Sequence, residues 1–421
     1  MKAKQSPLGR APKTDAAARP EAGAGLVARI PALVEAWRGE GGRSSGERLG
    51  RREIEEAGST LLSLQRGLTG NRRLAGERYM ERRDLLGAYL LYYWPVSYMQ
   101  ASLALAEHPF APRRVLDLGS GPGPLSAALL DLLEERGEPP PEELVLVDAS
   151  RKALGLAASI ISRGAVRPGR LSSFELDLET AAELPAGSFD LILMGHCLNE
   201  LWPGGSEAMD SKRALLERAA RSLAPGGRIL LIEPALLATC RDLIALRDRL
   251  AAEGWSVLGP CPGSYPCPVL AAGPERSCHA ESPWAPPEPV ASLALAAGLD
   301  RSSVKWTHFL LAPESGPESR RPLEAGASPA ALLHRGAGGR IVSDPMLNKA
   351  GRLRYIVCGA GALAALSARA DDGAVRSSGF MDLRRGDFIR AEGIEERPGG
   401  GLGLGPGSRL DVVSRAPEAA S

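Results

Sequence analysis

The chain has 421 residues, and its 51 basic and 50 acidic side chains give no prior for or against a nucleic-acid partner. Hydrophobic residues make up 44% of the chain, which is enough to bury a core. The sequence contains no run of about 18 apolar residues, so a membrane-spanning helix is not expected. Six scattered cysteines argue against a secreted disulfide scaffold. The length predicts about two or three domains, and 49 glycines with 34 prolines predict long loops or tails.

The N-terminal quarter divides into a tail and a helical region. Residues 1–24 are rich in Ala, Pro, Gly and charge without an apolar core, which predicts a disordered bacterial N-terminus in a cytoplasmic protein. An organelle transit peptide, and so a mitochondrial matrix protein, is the alternative. Residues 25–110 are predicted to be helical and to pack as a cap on the next domain, with Pro95 kinking or splitting the aromatic stretch 79–106. Residues 1–114 hold 19 basic and 12 acidic side chains, a mild hint of a phosphate-facing segment.

From residue 111 to 254 strand and helix patterns alternate. The predicted strands are Val115–Leu118, Leu144–Val147, Ser173–Leu176, Phe189–Met194 and Arg228–Glu233, and the predicted helices are Pro124–Glu134, Ser150–Ile161, Ser211–Leu223 and Leu237–Ala252. This order predicts an α/β fold with a parallel, doubly wound, Rossmann-like sheet that carries helices on both faces.

The remaining chain is predicted to hold smaller units. Residues 255–290 read as a Cys/Pro-rich insertion, 291–312 as a return to the sheet, and 313–395 as a β-rich C-terminal region after a loop over 313–335. Residues 396–421 are predicted to be a disordered tail, because Pro398 to Gly407 is nearly all Gly, Leu and Pro.

A glycine-rich loop follows the first predicted strand in Val-Leu-Asp-Leu-Gly-Ser-Gly-Pro-Gly, residues 115–123. Glycines there let the backbone turn tightly and approach a ligand where a Cβ would collide. The loop leads into a helix N-terminus at the carboxyl edge of the sheet, where open α/β sheets bind ligands. The spacing by itself also fits a nicotinamide dinucleotide.

Two acids favour S-adenosylmethionine as the ligand. Asp117 lies just before the glycines, within reach of the ligand's amino group, and Asp148 ends the next strand, where it can hold both ribose hydroxyls. The segment Asp-Leu-Gly-Ser-Gly-Pro-Gly, residues 117–123, resembles motif I of Rossmann-like, class I methyltransferases. Asp177, after the third strand, can accept a hydrogen bond from the adenine amino group. The predicted cofactor-binding residues are Asp117, Gly119, Ser120, Gly121, Gly123, Asp148 and Asp177.

The segment after the fourth strand carries the candidate catalytic residues. His196, Asn199 and Glu200 are the polar side chains at the edge that faces the methyl group. Each has a structural alternative, namely pocket lining for His196 and capping of the next segment for the other two. The Asn/Asp-Pro-Pro-aromatic motif for exocyclic base nitrogens is missing, as is the Pro-Cys or Thr-Cys pair for cytosine C5.

The cysteines in and after the insertion suggest a metal site. The spacing C-x₅-C-x₁₀-C fits neither a ferredoxin nor a paired C-x₂-C zinc ribbon. Thiolates suit an iron–sulfur cluster or a zinc ion, and incidental free thiols in a Pro-rich loop remain the third interpretation. Cys197 and Cys240 are expected to be buried apolar residues, and His279 a neighbour of the site.

From about residue 79 to 390 the chain resembles the methyltransferase-like proteins associated with the mitochondrial small ribosomal subunit and their bacterial homologues. The resemblance is carried by 88–95, by the glycine loop with 196–201, by the Cys-Pro pairs with Cys278-His279, and by 349–352, Cys358 and 385–388. It implies rRNA of the small subunit as partner, and a 4Fe–4S cluster on Cys261, Cys267, Cys278 and Cys358. An rRNA methyltransferase, a non-catalytic assembly factor and an unrelated small-molecule methyltransferase remain open.

Overall fold

The computed structural model describes residues 24–41, 49–70, 72–74, 79–205, 207–263, 265–313, 338–349, 351–359, 361–397, 401–405 and 407–418. The predicted disorder of residues 1–23 and the predicted loop over 314–335 lie outside these residues. Within them, no helix has both the length and the apolar character needed to cross a bilayer.

Eleven α-helices occur in the described residues. They are α1 (Ala24–Gly41), α2 (Arg51–Gln65), α3 (Arg83–Ala88), α4 (Trp94–Ala106), α5 (Pro124–Glu135), α6 (Arg151–Ser162), α7 (Ala208–Ala220), α8 (Leu237–Ala252), α9 (Pro268–Ala271), α10 (Val290–Ala296) and α11 (Gly373–Ser377). Short π-helical turns occupy Arg66–Gly70 and Tyr89–Tyr93, and 3₁₀ turns occupy Tyr79–Glu81 and Phe380–Asp382.

The first sheet has the strand order β3-β2-β1-β4-β5-β8-β6, with β7 also paired to β8. Its strands are β1 (Arg114–Leu118), β2 (Glu143–Asp148), β3 (Arg170–Glu175), β4 (Phe189–Gly195), β5 (Leu223–Pro234), β6 (Ser256–Gly259), β7 (Ala280–Pro283) and β8 (Ser303–Ala312). Strands β1 to β5 are parallel, and β8 runs antiparallel to β5, β6 and β7. The predicted α/β fold class is confirmed: this is a doubly wound, Rossmann-like sheet, with a reversed strand near one edge.

Side chains alternate between the two faces of this sheet, as the twofold period of a strand requires. On β4, Leu191 and Leu193 pack in the core shared with the N-terminal helices, whereas Ile192 and Met194 pack in the core shared with α7 and α8. The third strand begins at Arg170, earlier than the predicted Ser173. It is the edge strand and its residues are mostly exposed, so hydrophobicity does not mark its start.

A second sheet has the order β14-β15-β12-β11-β9-β13-β16, with β10 paired to β11. Its strands are β9 (Gly339–Ile341), β10 (Met346–Leu347), β11 (Arg352–Gly359), β12 (Ala362–Arg369), β13 (Phe388–Glu392), β14 (Glu395–Glu396), β15 (Leu402–Gly403) and β16 (Arg409–Ser414). The predicted disordered tail is therefore wrong over β15 and β16. Leu402, Leu404 and Leu410 are buried in the core of this sheet, which stabilises strands in a Gly-rich segment.

The N-terminal helices pack directly on the first sheet. Trp94 donates from Nε1 to the carbonyl of Pro122 at 2.9 Å, which ties α4 to the glycine loop. Pro95 lies in the first turn of α4, straight after the π-helical turn at Tyr89–Tyr93. Proline lacks the N–H and crowds the carbonyl four residues earlier, so the wider turn accommodates it without ending the helix. The predicted disruption at Pro95 is thus a local widening.

One buried ion pair joins α1 to α5. Arg29 donates from Nε and Nη2 to the two carboxylate oxygens of Asp131 at 2.7 and 2.6 Å, and the Tyr98 hydroxyl donates to the same carboxylate at 2.7 Å. Both members of the pair are almost fully buried. Removing one of them leaves the other charge without a partner in an apolar environment.

We therefore expect Arg29→Ala to lower the free energy of unfolding by about 3–5 kcal/mol. Arg51→Ala is the matched control, because the Arg51–Glu55 pair on α2 is exposed, and it should cost about 0.5 kcal/mol or less. Urea unfolding followed by circular dichroism measures both. Equal losses in the two variants would contradict a structural role for the buried pair.

Candidate functional site

The backbone of the loop between β1 and α5 favours glycine at three positions. Gly119, Gly121 and Gly123 have φ angles of +69°, +50° and +77°, in the left-handed region that favours glycine. A Cβ on Gly119 would also lie 2.6 Å from the Cβ of Cys197. The loop therefore passes closer to the end of β4 than any other residue type allows.

A cavity of about 720 Å³ opens at the carboxyl edge of the sheet, beside this loop. Its volume lies within the range of about 300–1,000 Å³ found for small-molecule sites. Four of the seven predicted cofactor-binding residues line it, namely Gly119, Gly121, Asp148 and Asp177. The other three, Asp117, Ser120 and Gly123, are buried or partly buried behind the lining.

Asp117 lies beneath the glycine loop and is 1% exposed. The hydroxyl of Ser126 on α5 donates to its Oδ2 at 2.6 Å. Burial raises the pKa of Asp117 to about 7, and the charge of Asp148 raises it further while the bond from Ser126 lowers it. In this geometry the carboxyl group stabilises the start of α5 and acts on the cavity through its charge.

Asp148 at the end of β2 is fixed by the backbone. Its Oδ2 accepts from the N–H of Gly121 at 2.8 Å and its Oδ1 from the N–H of Ser150 at 2.9 Å. Burial raises the pKa of this carboxyl group, and the two N–H donors act against that rise. Each carboxylate oxygen can accept a second hydrogen bond, so the group is oriented and still able to bind a diol.

The three predicted catalytic residues all line the same cavity, but their hydrogen bonds differ. Asn199 donates from Nδ2 to Glu233 at 2.6 Å and to the carbonyl of His196 at 3.1 Å, and its Oδ1 accepts from Arg72 at 2.9 Å. Both amide hydrogens are used within the protein. The geometry therefore favours the structural role for Asn199, which is to hold the buried Glu233 at the end of β5.

Glu200 and His196 differ as proton acceptors. Burial raises the pKa of Glu200 to about 8, and the charge of Glu233 adds to the effect. Burial lowers the pKa of His196 to about 4, so its imidazole is neutral at pH 7, and its Nε2 has no partner among the described residues. The Tyr79 hydroxyl donates to Glu200 at 3.3 Å.

The sequence did not identify the residues that the N-terminal region contributes to the cavity. Tyr79, Met80 and Glu81 line it from the 3₁₀ turn before α3. Glu81 accepts from the Ser150 hydroxyl at 2.6 Å, which joins this turn to the end of β2. No sequence pattern relates residue 81 to residue 150. Only the packing of the helical cap on the sheet shows that residues 79–81 form one side of the cavity.

A second, smaller cavity of about 60 Å³ lies between the two sheets. All four cysteines predicted as ligands line it: Cys261, Cys267, Cys278 and Cys358. The first three come from the insertion and Cys358 comes from β11 of the second sheet. His279 also lines this cavity, whereas Cys240 is buried in the core and Cys197 lines the large cavity.

The thiols lie near one another without close contact. Burial is the main cause that raises the pKa of Cys278, to about 12, and the charges of Cys261 and Cys267 add to it. In the described part of the chain, no three cysteine sulfurs lie within 4.8 Å of one another. Sulfurs around one tetrahedral zinc ion, with bonds of about 2.3 Å, would be roughly 3.8 Å apart.

Three arginines surround this cavity, namely Arg247, Arg340 and Arg385. Arg247 donates from Nη2 to the carbonyl of Gly263 at 2.7 Å, and Arg340 donates to the carbonyl of Pro260 at 3.3 Å. Both therefore hold the insertion loop. Burial acts to lower the pKa of Arg340, but the charges of Glu107 and Cys261 raise it overall. The surroundings favour an anionic occupant.

Glu107, His108 and His308 form a further group whose ligand atoms lie within 4.8 Å of one another. No pattern in the sequence predicts this group, because His308 is far along the chain from the adjacent Glu107 and His108. Arg340 donates to both carboxylate oxygens of Glu107, at 2.9 and 3.0 Å. Because that bidentate pair already occupies the only anionic ligand, we assign no metal to this group.

Residues 87–285 match the family model described as Rsm22, of the mitochondrial small ribosomal subunit. The family resemblance drawn from the sequence is confirmed over this range. A comparison with curated proteins gives no match.

Three solved structures illustrate the likeness of the fold. The mitomycin 7-O-methyltransferase MmcR is 20% identical over 49% of this chain and 63% of its own, less than two thirds of its length, with a TM-score of 0.33. A Listeria monocytogenes protein provisionally assigned to the class I S-adenosylmethionine-dependent methyltransferases is 14% identical over 71% and 91%, with a TM-score of 0.38. The ribosomal protein L11 methylase of Lactobacillus delbrueckii is 13% identical over 52% and 79%, with a TM-score of 0.30. With scores this low, the fold assignment rests on the strand order.

The raised pKa of Glu200 predicts a pH-dependent stability. The folded protein binds a proton at Glu200 up to about pH 8, whereas an unfolded glutamate releases it near pH 4.3. Between these limits rising pH destabilises the fold, because the unfolded state gains free energy by releasing a proton that the folded protein retains. Glu233, Asp148, Tyr79 and Arg72 also act on this group.

We therefore expect Glu200→Gln to be more stable than the wild type at pH 8 by about 1 kcal/mol or more, and to lose that advantage at pH 5. Glu134→Gln is the control, since Glu134 is exposed on α5. Thermal unfolding at both pH values measures the difference. An advantage that does not change with pH would show that Glu200 is ionised in the folded protein.

Proposed function

We propose that this chain, whose residues 87–285 belong to the Rsm22 family, binds S-adenosylmethionine in the large cavity and acts on or assembles the small ribosomal subunit through its rRNA. The observation that carries the cofactor assignment is the meeting of the glycine loop, Asp148 and Asp177 in one cavity of suitable volume. The ribosomal partner rests on the family match.

The charges in the cavity favour this cofactor over a nicotinamide dinucleotide. Glu81, Asp148, Asp177 and Glu179 all line the part of the cavity that lies near the glycine loop. A sulfonium and an ammonium group are attracted by these carboxylates, whereas the two phosphates of a dinucleotide are repelled. We assign Asp148 to the ribose hydroxyls and Asp177 to the adenine amino group, since both line the cavity.

S-adenosylmethionine, when bound, supplies an electrophilic methyl group for in-line displacement. The protein's task is then to align the acceptor and to receive its proton if the acceptor is an amine or a hydroxyl. Glu200, with a pKa of about 8, is the stronger base once ionised, a state that a bound sulfonium favours, whereas His196 has a pKa of about 4. We therefore propose Glu200 as the proton acceptor, His196 as a cavity wall and Asn199 as a positioning residue.

A non-catalytic assembly factor that binds the cofactor is the second candidate. It is favoured by the engagement of Asn199 in bonds within the protein and by the absence of a base-methylation motif from the sequence. Transfer of tritium from labelled S-adenosylmethionine to undermethylated small-subunit particles separates the two. Incorporation that is lost in Glu200→Gln supports an enzyme, and a lack of incorporation despite cofactor binding supports the assembly factor.

We further propose that Cys261, Cys267, Cys278 and Cys358 bind a 4Fe–4S cluster. Their convergence on one cavity supports a shared ligand. The neighbouring arginines offset the negative charge of four thiolates. A cluster would supply a rigid cross-link between the insertion and the second sheet.

Cofactor binding can be tested with Asp148→Asn. The amide keeps one acceptor oxygen but places its NH₂ group against the second of the two N–H donors, Gly121 and Ser150, so the side chain loses its fixed orientation. We expect affinity for S-adenosylhomocysteine to fall about tenfold or more, measured by isothermal titration calorimetry. Asp210→Asn is the control, because Asp210 is exposed on α7 and pairs with Arg249. Wild-type protein that binds NAD in preference would disprove the assignment.

The cluster can be tested with Cys358→Ser. Anaerobically purified wild type should contain about four iron and four sulfide per chain and be brown, and Cys358→Ser should lose most of both. Cys240→Ser is the control, since this thiol is buried away from the cavity, and it should keep the cluster. About one zinc ion per chain without sulfide would contradict a cluster and support the zinc alternative.

A further inference from the structure

The large cavity extends well beyond the residues that would hold the cofactor. The predicted cofactor residues follow β1, β2 and β3, on one side of the sheet. The cavity continues past the end of β5 to β8, where its lining comes from the helical cap and from the chain just before β8. We call this second part the acceptor half. It is lined by Tyr89, Tyr93, Val96, Gln100, Leu299, Arg301 and Lys305.

Gln100 on α4 carries an unsatisfied acceptor in the acceptor half. Its Nε2 donates to the backbone carbonyl of Lys305 at 2.8 Å. A carbonyl only accepts, so this bond fixes which end of the amide carries the nitrogen. The remaining Oε1 is buried and has no partner among the described residues, in a side chain that is 5% exposed. A buried acceptor without a donor costs free energy that a bound N–H group would recover.

An aromatic wall stands beside this acceptor. The rings of Tyr89 and Tyr93 stack with centroids 5.9 Å apart and planes at 26°. Tyr93 is only half-buried and lines the cavity, so its ring is available to a planar ligand. Stacking on an aromatic face is how proteins hold single unpaired bases.

The charges in the acceptor half differ from those in the cofactor part. Arg301 donates to the Tyr92 hydroxyl at 2.9 and 2.7 Å, and Lys305 pairs with Glu281 at 3.0 Å. Glu281 and Asp300 also line this end, so two carboxylates offset its two cations, whereas the cofactor part is acidic.

We propose that the acceptor half binds one nucleobase extruded from RNA, with Gln100 as the residue that holds its edge. The base lies against Tyr93 and donates an N–H from its edge to Oε1 of Gln100. This inference rests on the proposed function, because it places the base next to the methyl donor. Extrusion of a target base into a pocket is the general solution for chemistry on a base.

The experiment uses the full chain loaded with S-adenosylhomocysteine and the probes AMP, CMP, GMP and UMP, with binding followed by NMR titration. We expect at least one nucleotide to bind. Gln100→Leu should weaken that binding tenfold or more, because the leucine offers no acceptor. Gln100→Glu should keep it at pH 6, since a buried carboxylic acid can both donate to the Lys305 carbonyl and accept. Tyr93→Leu should weaken binding, whereas Tyr93→Phe should preserve it.

Affinity for S-adenosylhomocysteine shows whether a negative result contradicts the proposed function or only the present inference. It should stay within twofold of wild type in Gln100→Leu, because Gln100 bonds to the Lys305 carbonyl and not to the glycine loop or to the acids after β2 and β3. If wild type fails to bind S-adenosylhomocysteine, the proposed function fails. If it binds but no nucleotide does, or if Gln100→Leu binds nucleotides as the wild type does, only the present inference is overturned. Binding of N-acetylglutamine methylamide in place of the nucleotides would also overturn it, in favour of a peptide acceptor.

Discussion

Strand β8 is the element on which both cavities depend. Among the described strands of the first sheet it alone pairs with three others, since it is bonded to β5 along one side and to β6 and β7 along the other. Ser303 and Lys305, near its start, line the large cavity, and Thr307 to Phe309 line the cysteine cavity. Because the backbone of a paired strand cannot shift without breaking its ladder, the two cavities have a fixed separation.

Several acidic side chains lie in or near the large cavity, where burial disfavours their charged forms. Asp148 and Glu200 line it and are partly buried, while Asp117 and Glu233 are fully buried nearby, and burial raises the pKa of each. Such a group of carboxyl groups costs stability unless a cation is bound. A positively charged ligand is the simplest compensation, which is consistent with a sulfonium cofactor. Strained or costly sites of this kind are commonly functional.

The cysteine cavity joins parts of the chain that are distant in sequence. Three thiols belong to an insertion between β6 and β8, and the fourth belongs to β11 of the second sheet. The Glu107–Arg340 ion pair crosses the same boundary beside them. A metal centre bound by all four thiols would therefore fix the second sheet against the methyltransferase-like sheet, in the way that structural metal sites contribute to folding. The β7 strand, with Cys278 just before it and Glu281 within it, reaches both cavities.

Much of the first sheet could be predicted from the sequence because its strands are buried on both faces. Continuous apolar runs, such as the one at β4, mark such strands directly, and the glycine loop after β1 identifies the ligand-binding edge. The same signal failed at the exposed edge strand β3, and at β15 and β16. There a few buried leucines in a Gly-rich segment stabilise short strands that composition assigns to a tail.

The sequence by itself thus determined the fold class, the glycine loop and the acids at the strand ends. It also singled out the four cysteines that line the second cavity. Tertiary structure alone decided that Asp117 lies behind the cavity, that Asn199 is engaged by Glu233 and Arg72, and that Gln100 retains a free acceptor. The physical reason is the range of the interactions. Local backbone geometry and the hydrophobic period depend on neighbouring residues, so they can be predicted from the sequence. Burial and hydrogen-bond partners depend on residues that are distant in the sequence, as Gln100 and Lys305 are.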